Sequence, residues 1–257
     1  MNTLNLDREF KWTSQVILNL YKDKITKRDI KAPSSSAVTG GGVEGYSAYG
    51  FFAYRWGGLD SLNGDPIGFL DKAPSKDYGT ILLDNYPVED LVYIGSLSPT
   101  LFGSIGNNFQ WRRWSLATRI VFKMGYYFKR QSINQRALVN NKAGHSDYEL
   151  RWQNPGDEAH TQVPSFQYPG SNARDVFYAN SEVLATKGDH IRFQYVNFSY
   201  KILSASKGHK IFKEAQVFAN VSNIGIIWKA NKLGLDPDTF NTYDQERTYS
   251  IGTRIQF

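Results

Sequence analysis

The chain has 257 residues, no cysteine, 30 Lys and Arg against 24 Asp and Glu, and a net charge of +6. Without cysteine there is no disulfide scaffold and no thiolate zinc or iron–sulfur site. Without a Lys/Arg tract the modest positive charge has no focus, which argues against a nucleic-acid surface.

Mean hydropathy is −0.46 although 15% of the residues are Phe, Trp or Tyr, a pairing untypical of a soluble enzyme. No run approaches the roughly 18 apolar residues of a membrane-spanning helix. Residues 1–15 carry no apolar core of a signal peptide. Neither absence bears on a transmembrane β-barrel, whose strands alternate and never build an apolar run.

Period-two alternation dominates in chain order, which predicts strands with two unlike faces. Over 10–21, Phe10, Trp12, Val16, Leu18 and Leu20 oppose Lys11, Thr13, Gln15, Ile17 and Asn19. Over 99–111, Leu101, Ile105, Phe109 and Trp111 oppose Ser104, Gly106, Asn108 and Gln110. Over 114–128, Leu116, Ile120, Phe122, Met124, Tyr126 and Phe128 share one face. Over 189–202 the phase slips. Ile191, Phe193 and Tyr195 share one face, then Val196, Phe198, Tyr200 and Ile202 share the other. One extra residue near Tyr195, a β-bulge, would do this. Over 213–223, Ala215, Val217, Ala219 and Val221 alternate with polar residues, and over 246–257 so do Tyr249, Ile251, Thr253, Ile255 and Phe257. These strands exceed the about 5–6 residues of an ordinary globular strand and match the about 9–11 that cross a bilayer at a tilt.

The connections alternate between short and long. Arg112 and Arg113 form a two-residue turn and 203–212 a ten-residue one, whereas 22–98, 129–188 and 224–245 are long. Short turns on one rim and long loops on the other are the habit of outer-membrane barrels. The strand-like stretch 46–56 lies within the first long connection. It is read as a strand extension outside the membrane, since a span there would break the alternation. Gly, Pro, Asn and Ser clusters punctuate both larger connections, and neither reads as a packed domain.

Few residues group into chemistry. Asp60, Asn63 and Asp65 around Gly64 have the oxygen ligands and the bend of a calcium loop, or form a solvated Asn-Gly turn. His145, His160, His190 and His209 lack metal-ligand spacing, and no carboxylate pair or nucleophile motif stands out. Trp12, Trp56, Trp111, Trp114, Tyr126, Tyr127, Phe128 and Phe257 near strand ends suggest interfacial girdles. Trp152, Phe166 and Tyr168 either stack on sugar rings or pack their loop. No catalytic residue and no cofactor is expected.

Six stretches stand out together: YRWGGLDSLNGDPIGFL at 54–70, YIGSLSPTLFGSIGNNFQWRRWSLATRIVFKMGYYF at 93–128, KGDHIRFQYVNFSYKI at 187–202, AQVFANVSNI at 215–224, NKLGLDPD at 231–238 and RTYSIGTRIQF at 247–257. In combination they resemble the C-terminal part of the SusC/RagA family of TonB-dependent outer-membrane transporters of Bacteroidetes.

The resemblance implies an all-β fold, a portion of an antiparallel up-and-down transmembrane barrel. About six spanning strands of a 22-stranded barrel would carry long extracellular loops. It implies import of glycans or peptides, a SusD-like surface lipoprotein as lid, and drive from the TonB complex. An alternating final strand ending on Phe is similar to the signal read by the barrel assembly machinery, here Tyr249, Ile251, Ile255 and Phe257. The plug domain, signal peptide and TonB segment of the family have no counterpart in these residues. The whole of 1–257 is therefore expected to be barrel, with Met1 an internal methionine or the start of a truncated gene. A fragment of this kind is not expected to transport alone. A secreted all-β carbohydrate-binding protein is the alternative. A β-rich hydrolase would need an acid pair or metal site that the sequence does not offer.

Overall fold

The computed structural model describes residues 1–141, 144–204, 214–240 and 245–256. The chain divides into two compact units. The first comprises Met1–Tyr21, Pro99–Gly125 and Gly188–Phe257, and the second Lys22–Ser98 and Tyr126–Lys187.

The first unit is an all-β antiparallel meander of seven strands: β1 (Asn2–Asp7), β2 (Phe10–Leu20), β3 (Leu101–Trp111), β4 (Trp114–Met124), β5 (His190–Ser204), β6 (Glu214–Lys229) and β7 (Thr248–Gln256). They lie side by side in sequence order, each antiparallel to the next. β2, β3 and β4 each have 11 residues, β5 has 15 and β6 has 16.

The register sorts the side chains into two faces. Leu18, Gly103, Phe122 and Ile191 fall in one row, and Val16, Ile105, Ile120 and Phe193 in the next. Val217, Ala219 and Val221 of β6 continue this face into Thr253, Ile251 and Tyr249 of β7. The bulge expected near Tyr195 is present. Phe193 faces Ile120 and Tyr195 faces Arg119, so Gln194 is the extra residue. It moves Val196, Phe198 and Tyr200 onto the apolar face. That face is exposed at Leu18, Ile105, Phe198 and Ile251.

Four boundaries differ from the sequence expectation. β1 is an additional strand; its two apolar residues, Leu4 and Leu6, flank a register shift and give too little periodicity to read. The strand expected over 114–128 stops at Met124. Gly125 has φ +74°, and a Cβ there would lie 2.1 Å from the Thr100 hydroxyl, so the chain turns away. Tyr127–Lys129 instead pairs with Ala185–Lys187 in the second unit. β6 runs to Lys229, shortening the last connection. β5 continues through Leu203 and Ser204, and 205–213 lies outside the described residues.

The connections 22–98 and 129–188 do pack, contrary to expectation. Ala37, Val38, Phe52, Tyr54, Ile81, Tyr86, Leu91 and Phe177 form one core, and Ile133, Val163, Tyr178 and Leu184 another. The helix Asn172–Ala179, capped by the Ser171 hydroxyl, supplies Phe177 to the first and Tyr178 to the second. These residues have no common period, because each comes from a different short piece. Gly50–Ala53, within the 46–56 stretch, pairs with Val92–Ser96 in this unit and takes no place in the meander. Trp56, Tyr126 and Phe128, expected in a girdle, are packed here instead. Trp56 lies against both cores, and Tyr126 and Phe128 are buried.

Candidate functional site

The apolar face of the meander carries a real aromatic belt at its short-turn end. Phe10, Trp111, Trp114 and Tyr200 occupy one row, and Trp12, Phe109 and Phe198 the next. Trp114 lies 4.3 Å from Tyr200 and 5.1 Å from Phe198 between ring centroids, and Trp12 lies 5.8 Å from Phe109. The Trp12 indole N–H and the Ser14 hydroxyl both donate to Asn107 Oδ1, at 3.0 and 2.7 Å. The polar residues at this depth thereby satisfy one another. The two-residue turn between Trp111 and Trp114 holds Arg112 at φ 53°, the sign that a tight hairpin needs at its first turn residue.

The opposite face is lined by amides, hydroxyls and cations. Thr13, Asn108, Ala117 and Asn197 form one row, and Gln15, Gly106, Arg119 and Tyr195 the next. Because Gly106 has no side chain, the Arg119 guanidinium lies across it and donates to Gln15 Oε1 at 3.0 Å. It also sits 5.7 Å from the Tyr195 ring centroid. Among the described residues no carboxylate pairs with Arg119, and its Nε is buried without a hydrogen-bond partner. A hollow of about 480 Å³ opens here, with Thr13, Gln15, Asn108, Arg119 and Tyr195 on its walls. Such a wall offers hydrogen-bonding groups and one cation to a polar or anionic solute.

At the other end of this face a buried ion network ties down the segment after β6. Arg192, 1% exposed, donates through Nη2 to Asp236 Oδ1 at 2.5 Å and through Nε to Asp238 Oδ2 at 3.1 Å. Lys123 Nζ reaches Asp238 Oδ1 at 2.6 Å, and His190 Nε2 lies 3.3 Å from Asp238 Oδ2. Asp236 also accepts the backbone N–H of Asp238 and of Gln245. Burial alone would push Asp238 up. Its hydrogen bonds and charge contacts with His190 and Lys123 outweigh burial and hold its carboxyl well below the usual carboxylate range. Sequence reasoning left His190 isolated and missed this cluster. The one available signal was that 123, 190 and 192 fall on the polar face of adjacent strands.

The calcium-like loop is built from ion pairs. Asp60 accepts from Lys76 Nζ at 2.6 Å and from the Leu62 N–H at 2.8 Å. The Lys76 hydrogen bond is the main cause holding its pKa down. Asp65 accepts from Arg174 Nε and Gln167 Nε2, both at 2.6 Å, and from the Asn63 amide at 2.9 Å. Gly64 has φ +67°, and a Cβ there would stand 2.5 Å from the Trp152 ring. Trp152 is 7% exposed and packs its loop, whereas Tyr168 is 79% exposed. Among the described residues no three of His, Asp and Glu come together as a metal site. Tyr249, Ile251 and Ile255 are exposed on β7, on the apolar face. Phe257 and His209 lie outside the described residues.

No family model and no curated protein matches the chain. Solved structures do. The chain is similar to a chain of the RagAB peptide transporter, with TM-score 0.63, 16% identity, and coverage of 97% of this chain and 27% of that one. It is similar to the RagAB peptide importer in its open-open state, with TM-score 0.65, 16% identity, and coverage of 100% and 28%. For the closed-closed state the values are 0.60, 16%, 99% and 28%. At that identity the likeness is one of fold. The chain spans just over a quarter of the length of these solved chains.

Proposed function

We propose that the chain forms the C-terminal wall of a SusC/RagA-like, TonB-dependent transporter in the outer membrane, and that its cargo is peptide. The observation that carries this is the two-faced meander. One face is apolar, exposed and edged by an aromatic belt, as lipid requires. The other is polar and suits a water-filled passage. A secreted carbohydrate-binding sandwich would bury the apolar face against a second sheet. The fold likeness to peptide-importer chains favours peptides over glycans. On this reading the polar face, with Arg119 unpaired to any described carboxylate, guides solute, and the role is transport without catalysis.

The same reading gives the chain a SusD-like lipoprotein partner, energy from the TonB complex, and assembly through the barrel assembly machinery. That machinery would recognise β7 through Tyr249, Ile251, Ile255 and Phe257. The long connections would lie outside the cell and the short turns in the periplasm. The test is made in cells carrying the gene in its own genomic context. The polypeptide containing these residues is expected in the outer-membrane fraction, and deleting their coding segment is expected to abolish uptake of a fluorescent oligopeptide. Recovery in the soluble fraction, or undiminished uptake, would sink the reading.

A further inference from the structure

The second unit holds a cleft of about 630 Å³, within the range of small-ligand sites. Its floor is apolar: Val43, Val88, Leu91 and Phe52, the last two buried. Tyr46 and Tyr93 stand half exposed at its mouth, 4.8 Å apart between ring centroids. Both rings also pack on Phe52, at 5.0 and 5.2 Å. The three rings brace one another.

The rim carries charges of both signs. Lys31 and Glu89 form a pair at 3.4 Å whose side chains are largely exposed. The Glu44 carboxylate accepts the Arg28 backbone N–H at 3.0 Å, and the Arg28 guanidinium donates to the Gly42 carbonyl. The Lys31–Glu89 pair is of the exposed kind that contributes little stability, so a ligand's own charges can replace either of its partners at small cost.

The lining narrows the ligand. Its polar side chains are Arg28, Lys31, Asp29, Glu44 and Glu89, all fully charged types, and the two tyrosine hydroxyls at the mouth. An apolar floor, an aromatic mouth and a rim of opposed full charges fit a ligand with an apolar side chain and two ionised ends.

We propose that this cleft binds a short zwitterionic peptide. An apolar side chain sits on the floor between Tyr46 and Tyr93. Lys31 and Arg28 meet the carboxylate, and Glu44 and Glu89 the ammonium. The proposal rests on the peptide-transporter reading and deepens it by placing a substrate site in the second unit.

The test is calorimetric titration of the full chain in detergent micelles with Ala-Phe-Ala, Ala-Ala-Ala, N-acetylated and C-amidated Ala-Phe-Ala, and maltotriose. Ala-Phe-Ala is expected to bind tightest, and blocking both of its ends is expected to weaken it. Tyr93→Ala, with unchanged far-ultraviolet dichroism, is expected to weaken it about three- to tenfold, the worth of one aromatic contact. If Tyr93→Ala disturbs the fold, Val43→Trp, which fills the floor from a half-buried position, replaces it and should lower affinity likewise. Peptide binding that ignores these variants, the phenyl group or the blocked ends overturns the cleft while leaving the transporter reading intact. Binding of maltotriose without peptide overturns the peptide reading as well. Binding of neither overturns the cleft.

Discussion

At Asp238 three basic side chains converge on one carboxylate, and the consequence is a pH dependence with a definite sign. Lys123, Arg192 and His190 reach it at 2.6, 3.1 and 3.3 Å, and its folded pKa is held below the ordinary value. In the unfolded chain the same group titrates near its ordinary value of about 3.9. A depressed folded pKa contributes stability that is fully present above the unfolded value and is lost as pH falls towards the folded one. The segment 230–240 is therefore expected to stay docked at pH 5 to 8 and to loosen progressively below pH about 4. Limited proteolysis within 230–240 across that range reads it directly. Asp238→Asn should raise cleavage already at neutral pH and flatten the acid dependence. A wild-type profile that is flat down to pH 2, or unchanged by Asp238→Asn, would count against the network as the clamp.

At the scale of the strand, the alternation read from sequence decides which face meets which solvent. Ile105 and Asn108 lie three residues apart on β3 and therefore face opposite ways. Near the bilayer midplane an added Arg costs about 2–4 kcal/mol on the lipid face of a barrel, whereas the lumen face tolerates it. Ile105→Arg is expected to lose a cost of that order in urea unfolding from lipid vesicles, and Asn108→Arg about 0.5 kcal/mol or less. An equal or reversed cost would invert the assignment of faces.

The same element shows how far the sequence could be read. Long strands with period-two alternation were legible residue by residue, and so was the bulge at Gln194, because it leaves a phase slip behind. β1 was not, since Leu4 and Leu6 give a single repeat and the register shifts between them. The cores of the second unit were not either. Val38, Phe52, Ile81 and Phe177 meet through contacts far apart in sequence, with no periodicity to announce them. The Asp60–Asp65 loop was legible as a cluster of oxygens, but what faces it was not. Lys76 is 16 residues from Asp60 and Arg174 is 109 from Asp65, and that pairing belongs to the tertiary fold.

For the whole molecule, the meander poses a problem that its strands cannot solve alone. Among the described residues β1 pairs with β2 only and β7 with β6 only, so the outer side of each presents N–H and C=O groups with no strand beside them. In a bilayer each such group costs several kcal/mol, which is why spanning sheets close on themselves. In water a long open edge templates association with other chains. Seven strands also fall below the about eight of the smallest membrane barrels. The apolar face adds to the difficulty, since Leu18, Ile105, Phe198 and Ile251 are exposed. On the transporter reading these residues need further strands on both edges and lipid on one face before the polar face can enclose a passage. The expected outcome is that the 257-residue chain, purified alone and reconstituted in liposomes, moves no labelled peptide across the membrane. Gel filtration in detergent should show self-association through its edges rather than a monomer. Membrane strands able to pair with β1 and β7, supplied in trans, should suppress that association. A monomeric chain that transports peptide by itself would overturn the view that this sheet is part of a larger wall.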